Sequence, residues 1–200
     1  MDSPIDKIEQ FKKSVQDENN STQIIVRKFI MHGTPHVFEG KEELYFDLKN
    51  EIGEKFKTHP ELVRMVGSAK LGFSIKPTRL FGEFGDDSDI DMVIISDDVF
   101  DNIWNELFDE QIWDYEKKSR SEAADKKLQQ FFMYFFRGWI RPDKILPDYK
   151  VRSEWFEFFQ KISYGKYGNH KVTGAIYKNF HYFEHYHETN IKNIRLKLKG

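Results

Sequence analysis

The stretch VGSAKLGFSIKPTRLFGEFGDDSDIDMVIIS, residues 66–96, decides how the chain is read. Its second half carries Asp89-Ile90-Asp91 into Met92-Val93-Ile94-Ile95, a β-rich run bounded by acidic turn residues, which predicts a strand over Ile90–Ile95. Side chains two apart on a strand share a face, so Asp89 and Asp91 project together while Ile90 turns the other way. Two hard oxygen ligands then face one spot. Mg²⁺ takes such a pair when it keeps several waters and borrows its remaining ligands from substrate phosphates. Upstream, residues 61–66 predict a short strand that delivers the chain into Gly67-Ser68. Gly67 lets the backbone approach an anion with no Cβ in the way. Ser68, with the backbone N–H groups of Ala69 and Lys70, is placed to hold phosphate oxygens at an incipient helix N-terminus. The Lys70 ammonium reads equally as a phosphate contact and as a solvated side chain.

Working outward, apolar residues at helical spacing predict helices on both sides of this unit. Ser3-Pro4 starts the first, with Ile5, Ile8, Phe11 and Val15 as its stripe. A second runs over 21–32 and is stopped by Gly33 and Pro35, and a third over 41–57 repeats Tyr45, Leu48, Ile52 and Phe56. Helices follow over 98–108, with Asp98 as N-cap, and over 121–139 and 152–163. Phe131, Phe132, Phe135 and Phe136 are apolar enough to be buried on several sides. Residues 171–178 return to strand character, and a last helix covers 179–198. The pattern is α+β: a small mixed sheet surrounded by many helices. Without repeats or Gly/Ser linkers it parses as one domain, with N-terminal helices (about 1–60), a core (about 61–110) and a helical C-terminal part (about 111–200).

Two hundred residues suffice to bury roughly 70% of the unfolded chain's surface, and the 19 Phe supply apolar bulk. With a mean hydropathy of -0.68, no apolar run approaches a membrane span. The charged N-terminus lacks a secretory h-region, and the absence of Cys excludes disulfides, thiolate metal sites and Cys nucleophiles. Cytoplasmic localisation is the expectation. The net charge of -2 hides strong polarity: residues 82–110 hold eleven Asp plus Glu and no Lys or Arg, whereas residues 161–200 hold eight Lys plus Arg against Glu184 and Glu188.

Val66-Gly67-Ser68, followed after a loop by Ser88-Asp89-Ile90-Asp91-Met92-Val93, resembles the signature of the nucleotidyltransferase superfamily typified by DNA polymerase beta, poly(A) polymerases, CCA-adding enzymes and bacterial antiviral oligonucleotide synthases. The wider segment GSAKLGFSIKP, residues 67–77, is similar to small bacterial members, some found in phage-defence systems. The resemblance covers about 30 residues. It implies transfer of a nucleotidyl group from an NTP or dNTP to a hydroxyl acceptor with release of pyrophosphate. Asp89 and Asp91 would bind Mg²⁺ (or Mn²⁺), and Gly67 and Ser68 would grip the triphosphate. The chain departs from the family pattern in two ways. Ser68 and Asp89 are 21 positions apart, which inserts a loop over about 77–87. The family also draws a third carboxylate from a later strand, and 171–178 contains none; Asp143, Asp148 and Glu154 are substitutes by sequence proximity, Asp143 first. Failing a substitute, the alternative is a degenerate module that binds a nucleotide or a partner effector protein, as an antitoxin or regulatory subunit.

Competing readings attach to the same residues. Asp89 and Asp91 also fit a solubilising acidic turn. His181-Tyr182-Phe183-Glu184-His185 matches the zinc-peptidase pattern H-x-x-E-H, but no acid follows Glu188 to complete a ligand set. The wheel explains this helix without zinc, with Phe180, Phe183, His187, Ile191, Ile194 and Leu198 as one apolar stripe. On the polar side, Lys178, His181, His185, Lys192, Arg195 and Lys199 fit either an ordinary basic surface or an anion surface. The second would meet a triphosphate or oligonucleotide, with Tyr182 or Tyr186 stacking on a base.

Overall fold

The computed structural model describes residues 4–113 and 121–199. Four strands form one sheet in the order β1-β2-β4-β3: β1 is Val63–Val66, β2 Ile90–Ile95, β3 Trp139–Ile140 and β4 Val172–Tyr177. The central pair β2 and β4 is parallel, and β1 and β3 run antiparallel to their neighbours, so the sheet is mixed. Around it lie α1 (Pro4–Gln16), α2 (Thr22–Ile25, continued as a π-helix over Val26–Met31), α3 (Glu42–Phe56), α4 (Gly67–Leu71), α5 (Asp97–Asp109), α6 (Glu122–Phe136), α7 (Lys150–Lys161) and α8 (Phe180–Lys199). This is the α+β architecture that the alternation of apolar periods implied. No helix among the described residues is long and apolar enough to cross a membrane.

The two-residue period of β2 divides the core. Ile90, Met92 and Ile94 face one apolar cluster, shared with α3, α5, α6 and α7, whereas Val93 and Ile95 face a second, shared with α1, α2 and α8. Asp91 belongs to the second face by register. It sits at the end of that face, where the helical cover gives way to a cleft. Covering both faces is what a parallel β2–β4 pair requires.

Local chemistry accounts for most boundaries and for the departures from expectation. Ser21, Ser96 and Ser121 cap α2, α5 and α6 by accepting the backbone N–H three residues on. The α5 cap is therefore Ser96, and Asp98 lies inside the first turn, where its charge favours the N-terminal end of the helix dipole. The α6 helix stops at Phe136, and Gly138, at a positive φ of 68°, turns the chain into β3, which periodicity alone extends as helix. Phe131 is buried and Phe132 and Phe135 partly so, but Phe136 is 90% exposed, which corrects the expectation for that cluster. The inserted loop folds on itself: Ser74 N–H donates to the Gly82 carbonyl and Phe81 N–H to the Ser74 carbonyl, both at 2.8 Å, with Phe73 buried against Phe11.

On β4, Gly174 is a packing requirement. A Cβ there would lie 2.2 Å from the Phe159 ring and 2.8 Å from Trp155, because both α7 aromatics rest on the strand backbone. Gly174→Ala is expected to cost about 1–3 kcal/mol through overpacking. In urea denaturation the midpoint should fall with the slope unchanged; an unaltered midpoint would show that the rings move aside freely.

Candidate functional site

A cleft of about 710 Å³ opens beside the head of β2 and runs along β4 between α7 and α8. Both members of the D-x-D pair line it: Asp89 immediately before β2 and Asp91 within it. Ile90 is fully buried on the opposite face, as alternation demands. Asp91 is paired in register with Val66 on β1 and Thr173 on β4, so it stands at the centre of the sheet.

Gly67 also lines the cleft, at a φ of 70° that side-chain-bearing residues rarely adopt. A Cβ at this position would lie 2.9 Å from Asp91 Oδ2. The glycine thus makes room for the aspartate, a closer relationship than the anion approach expected of it. Ser68 lies in the following turn, where its carbonyl accepts the Gly72 N–H, and it is not among the described residues lining the cleft.

The two lysines expected at a phosphate are held elsewhere. Lys70 is buried, and its Nζ donates to the His32 and Gly33 carbonyls at 2.5 Å each, which ties α4 to the end of the π-helix. Burial lowers its pKa to about 8, with help from the Arg64 charge. Lys178 immediately follows β4 and is ion-paired to Asp101 at 2.6 Å. The reason is the same in both cases: nearer acceptors hold the ammonium. The cations that do line the cleft are Lys76, just before the inserted loop, Arg141, just beyond β3, and Lys171, just before β4. Nothing in the spacing of Lys76 marks it in the sequence, because the turn that aims it depends on the folding of the loop.

Electrostatically, Asp91 is the perturbed group. Burial raises its pKa above the usual carboxylate range and the Asp89 charge adds to this. The Thr173 hydroxyl, which donates to Asp91 Oδ1 at 2.7 Å, and the Lys76 and Arg141 charges oppose the rise. The position on β4 level with Asp91 is therefore a hydroxyl. Of the three substitute acids, Asp143 lines the cleft, ion-paired to Arg141 through two bonds of 3.0 Å, while Glu154 pairs with Lys150 on α7 and Asp148 is not among the described lining residues. Among the described residues no group of three or more His, Asp or Glu is disposed to hold a metal ion. Asp89 and Asp91 still fit Mg²⁺ of the kind that takes one or two carboxylates and completes its shell with water and phosphate. The donors are hard oxygens and the neighbouring cations suit a polyanion.

The H-x-x-E-H segment does not assemble a zinc site. Glu184 accepts from Arg27 at 2.6 and 3.0 Å and from Gln23 at 3.0 Å, while His181 and His185 are exposed on another face. Phe183, His187, Ile191 and Ile194 form the buried stripe. On the basic side of α8, Arg195 donates to the Val15 and Asn20 carbonyls and Lys199 pairs with Glu18, so these two secure the end of α1. Comparison with protein-family models, with curated proteins and with solved structures found no match for this chain.

Proposed function

We propose that the cleft binds a nucleoside triphosphate as its Mg²⁺ complex and transfers the nucleotidyl group to a hydroxyl acceptor. The observation that supports this most is the convergence of Asp89, Asp91 and Gly67 with Lys76, Arg141 and Lys171 on one cleft. In this reading Asp89 and Asp91 hold the divalent cation. When bound, it supplies charge compensation to the phosphates and orients them for in-line displacement. Lys76 and Lys171 neutralise the remaining phosphate charge, and Arg141, whose charge is shared with Asp143, helps to fix its position. The acceptor hydroxyl gives up its proton to solvent as its oxygen bonds to the α-phosphorus, the bond from that phosphorus to the oxygen bridging the β-phosphate breaks, and pyrophosphate leaves with that electron pair. Thr173 fixes the Asp91 carboxylate through Oδ1.

That same Thr173–Asp91 bond favours a second reading, a module that binds nucleotide without turnover, since a hydroxyl stands where the resemblance implies a carboxylate. The two separate when the protein is incubated with each labelled NTP and dNTP and with Mg²⁺ or Mn²⁺. Catalysis is expected to appear as pyrophosphate release that Asp89→Ala reduces at least tenfold. Saturable, Asp89-dependent binding with no release under either metal supports the module, and absence of binding removes both.

A further inference from the structure

The cleft is chemically divided along β4. At the level of Thr173 it is charged, with Asp89, Asp91, Lys76 and Arg141. At the level of Tyr177 it is aromatic, with the Arg141 guanidinium 5.2 Å from the Trp139 ring centroid at the boundary between the two ends. Four residues of strand separate the two levels, about 13 Å at strand rise, within the reach of a nucleoside and its phosphates. The aromatic end is built from Trp139, stacked on Tyr177 with centroids 5.2 Å apart and planes at 10°, from Tyr186 4.6 Å from Trp139, and from His187 and Asn190 one and four positions further along α8.

Two side chains in this lining carry buried polar atoms without a partner: both ring nitrogens of His187, a residue only 5% exposed, and Nε1 of Trp139. Such atoms each cost about 1–3 kcal/mol when unsatisfied, and buried polar groups are otherwise almost always bonded. For His187 packing alone gives no reason for an imidazole, because leucine would fill a similar volume without a polar atom. His187 is uncharged at neutral pH and so offers one donor and one acceptor, which suits a neutral hydrogen-bonding ligand and not a phosphate. We infer that Trp139 and His187 form the nucleobase-recognition end of the cleft, reading the hydrogen-bonding edge of a base carried there by the nucleotide, with Asn190 as a third polar contact. The inference rests on the nucleotide reading and adds to it where the base sits and which side chains select it. Tyr186, 37% exposed at the rim, is the ring available to lie against the base.

The test uses the whole chain labelled with ¹⁵N in His and Trp. Mg²⁺ with inorganic tripolyphosphate and Mg²⁺ with each of ATP, GTP, CTP and UTP are titrated separately, reading affinity by calorimetry and the Trp139 indole and His187 ring signals by NMR. Tripolyphosphate and nucleotides are both expected to bind, and only nucleotides should shift those two signals. His187→Leu should weaken the preferred nucleotide at least tenfold, the loss of about one hydrogen bond, and leave tripolyphosphate binding unchanged. Trp139→Phe, which keeps an aromatic ring but removes the fused pyrrole ring with its donor, gives an independent reading if His187→Leu does not fold. Nucleotide binding that leaves both signals unmoved and is indifferent to both variants overturns the inference while the nucleotide reading stands. Binding of neither nucleotide nor tripolyphosphate overturns both.

Discussion

Asp91→Asn is expected to reduce the proposed divalent-cation-dependent nucleotide turnover sharply and, in the same protein, to raise the thermal midpoint measured without metal. The loss follows from removing half of the proposed two-carboxylate site. It should reach about 10²–10³-fold, the scale seen when one group that stabilises transition-state charge is deleted. The gain follows from burial. The folded-state pKa of Asp91 lies above its ordinary value of 3.8, so the folded protein holds that proton more tightly than the unfolded chain. A carboxyl of this kind contributes most below pH 3.8 and becomes progressively destabilising as pH rises through its folded pKa. Once ionised the buried group is a liability, and Asn has its shape without its charge, with an oxygen still able to accept from Thr173. A rise of about 2–4 °C corresponds to 1 kcal/mol in a chain of this size. Adding Mg²⁺ and nucleotide should raise the midpoint of the parent protein and leave the variant unmoved. In the proposed site proton and cation would compete for Asp91, so metal affinity should climb with pH through the same range. A variant that is less stable than its parent, or that retains turnover, contradicts this account of the site.

The second large effect concerns acid stability. Burial drives the His187 pKa down to about 3 from 6.5, with Phe183, Tyr177 and Tyr186 packed around the ring. The folded state thus binds this proton less readily than the unfolded chain. The associated stability is fully present above pH 6.5 and is lost as pH falls below it. Linkage gives a loss of about 2 kcal/mol between pH 8 and pH 5 from this residue alone. In His187→Leu that portion should disappear, so the stability difference between pH 8 and pH 5 in urea denaturation should shrink by about 2 kcal/mol. His36 is also held low, by burial and by the Lys7 charge, and contributes in both proteins. Comparing the two slopes therefore isolates His187. Equal slopes would mean that the ring is hydrated or bonded in solution.

The sequence by itself determined the elements whose cause is local. Ile90–Ile95 is legible as a strand because its β-rich run is bounded by turn residues, and the shared side of Asp89 and Asp91 follows from a period of two. The α8 stripe of Phe183, His187, Ile191 and Ile194 follows from a period near 3.6. Only the tertiary structure decided where charges end up, because partners across long loops compete for each side chain. Lys70 is claimed by carbonyls 37 and 38 residues away, Lys178 by Asp101, and Arg195 by the end of α1. Trp139 becomes a strand residue by pairing with Tyr177, and this long-range ladder brings Arg141 and Asp143 toward the site. Periodicity reports which face of an element is buried. What that face meets depends on chain segments that sequence distance does not rank, and so Thr173, Lys76 and the Trp139–His187 end of the cleft became visible only in three dimensions.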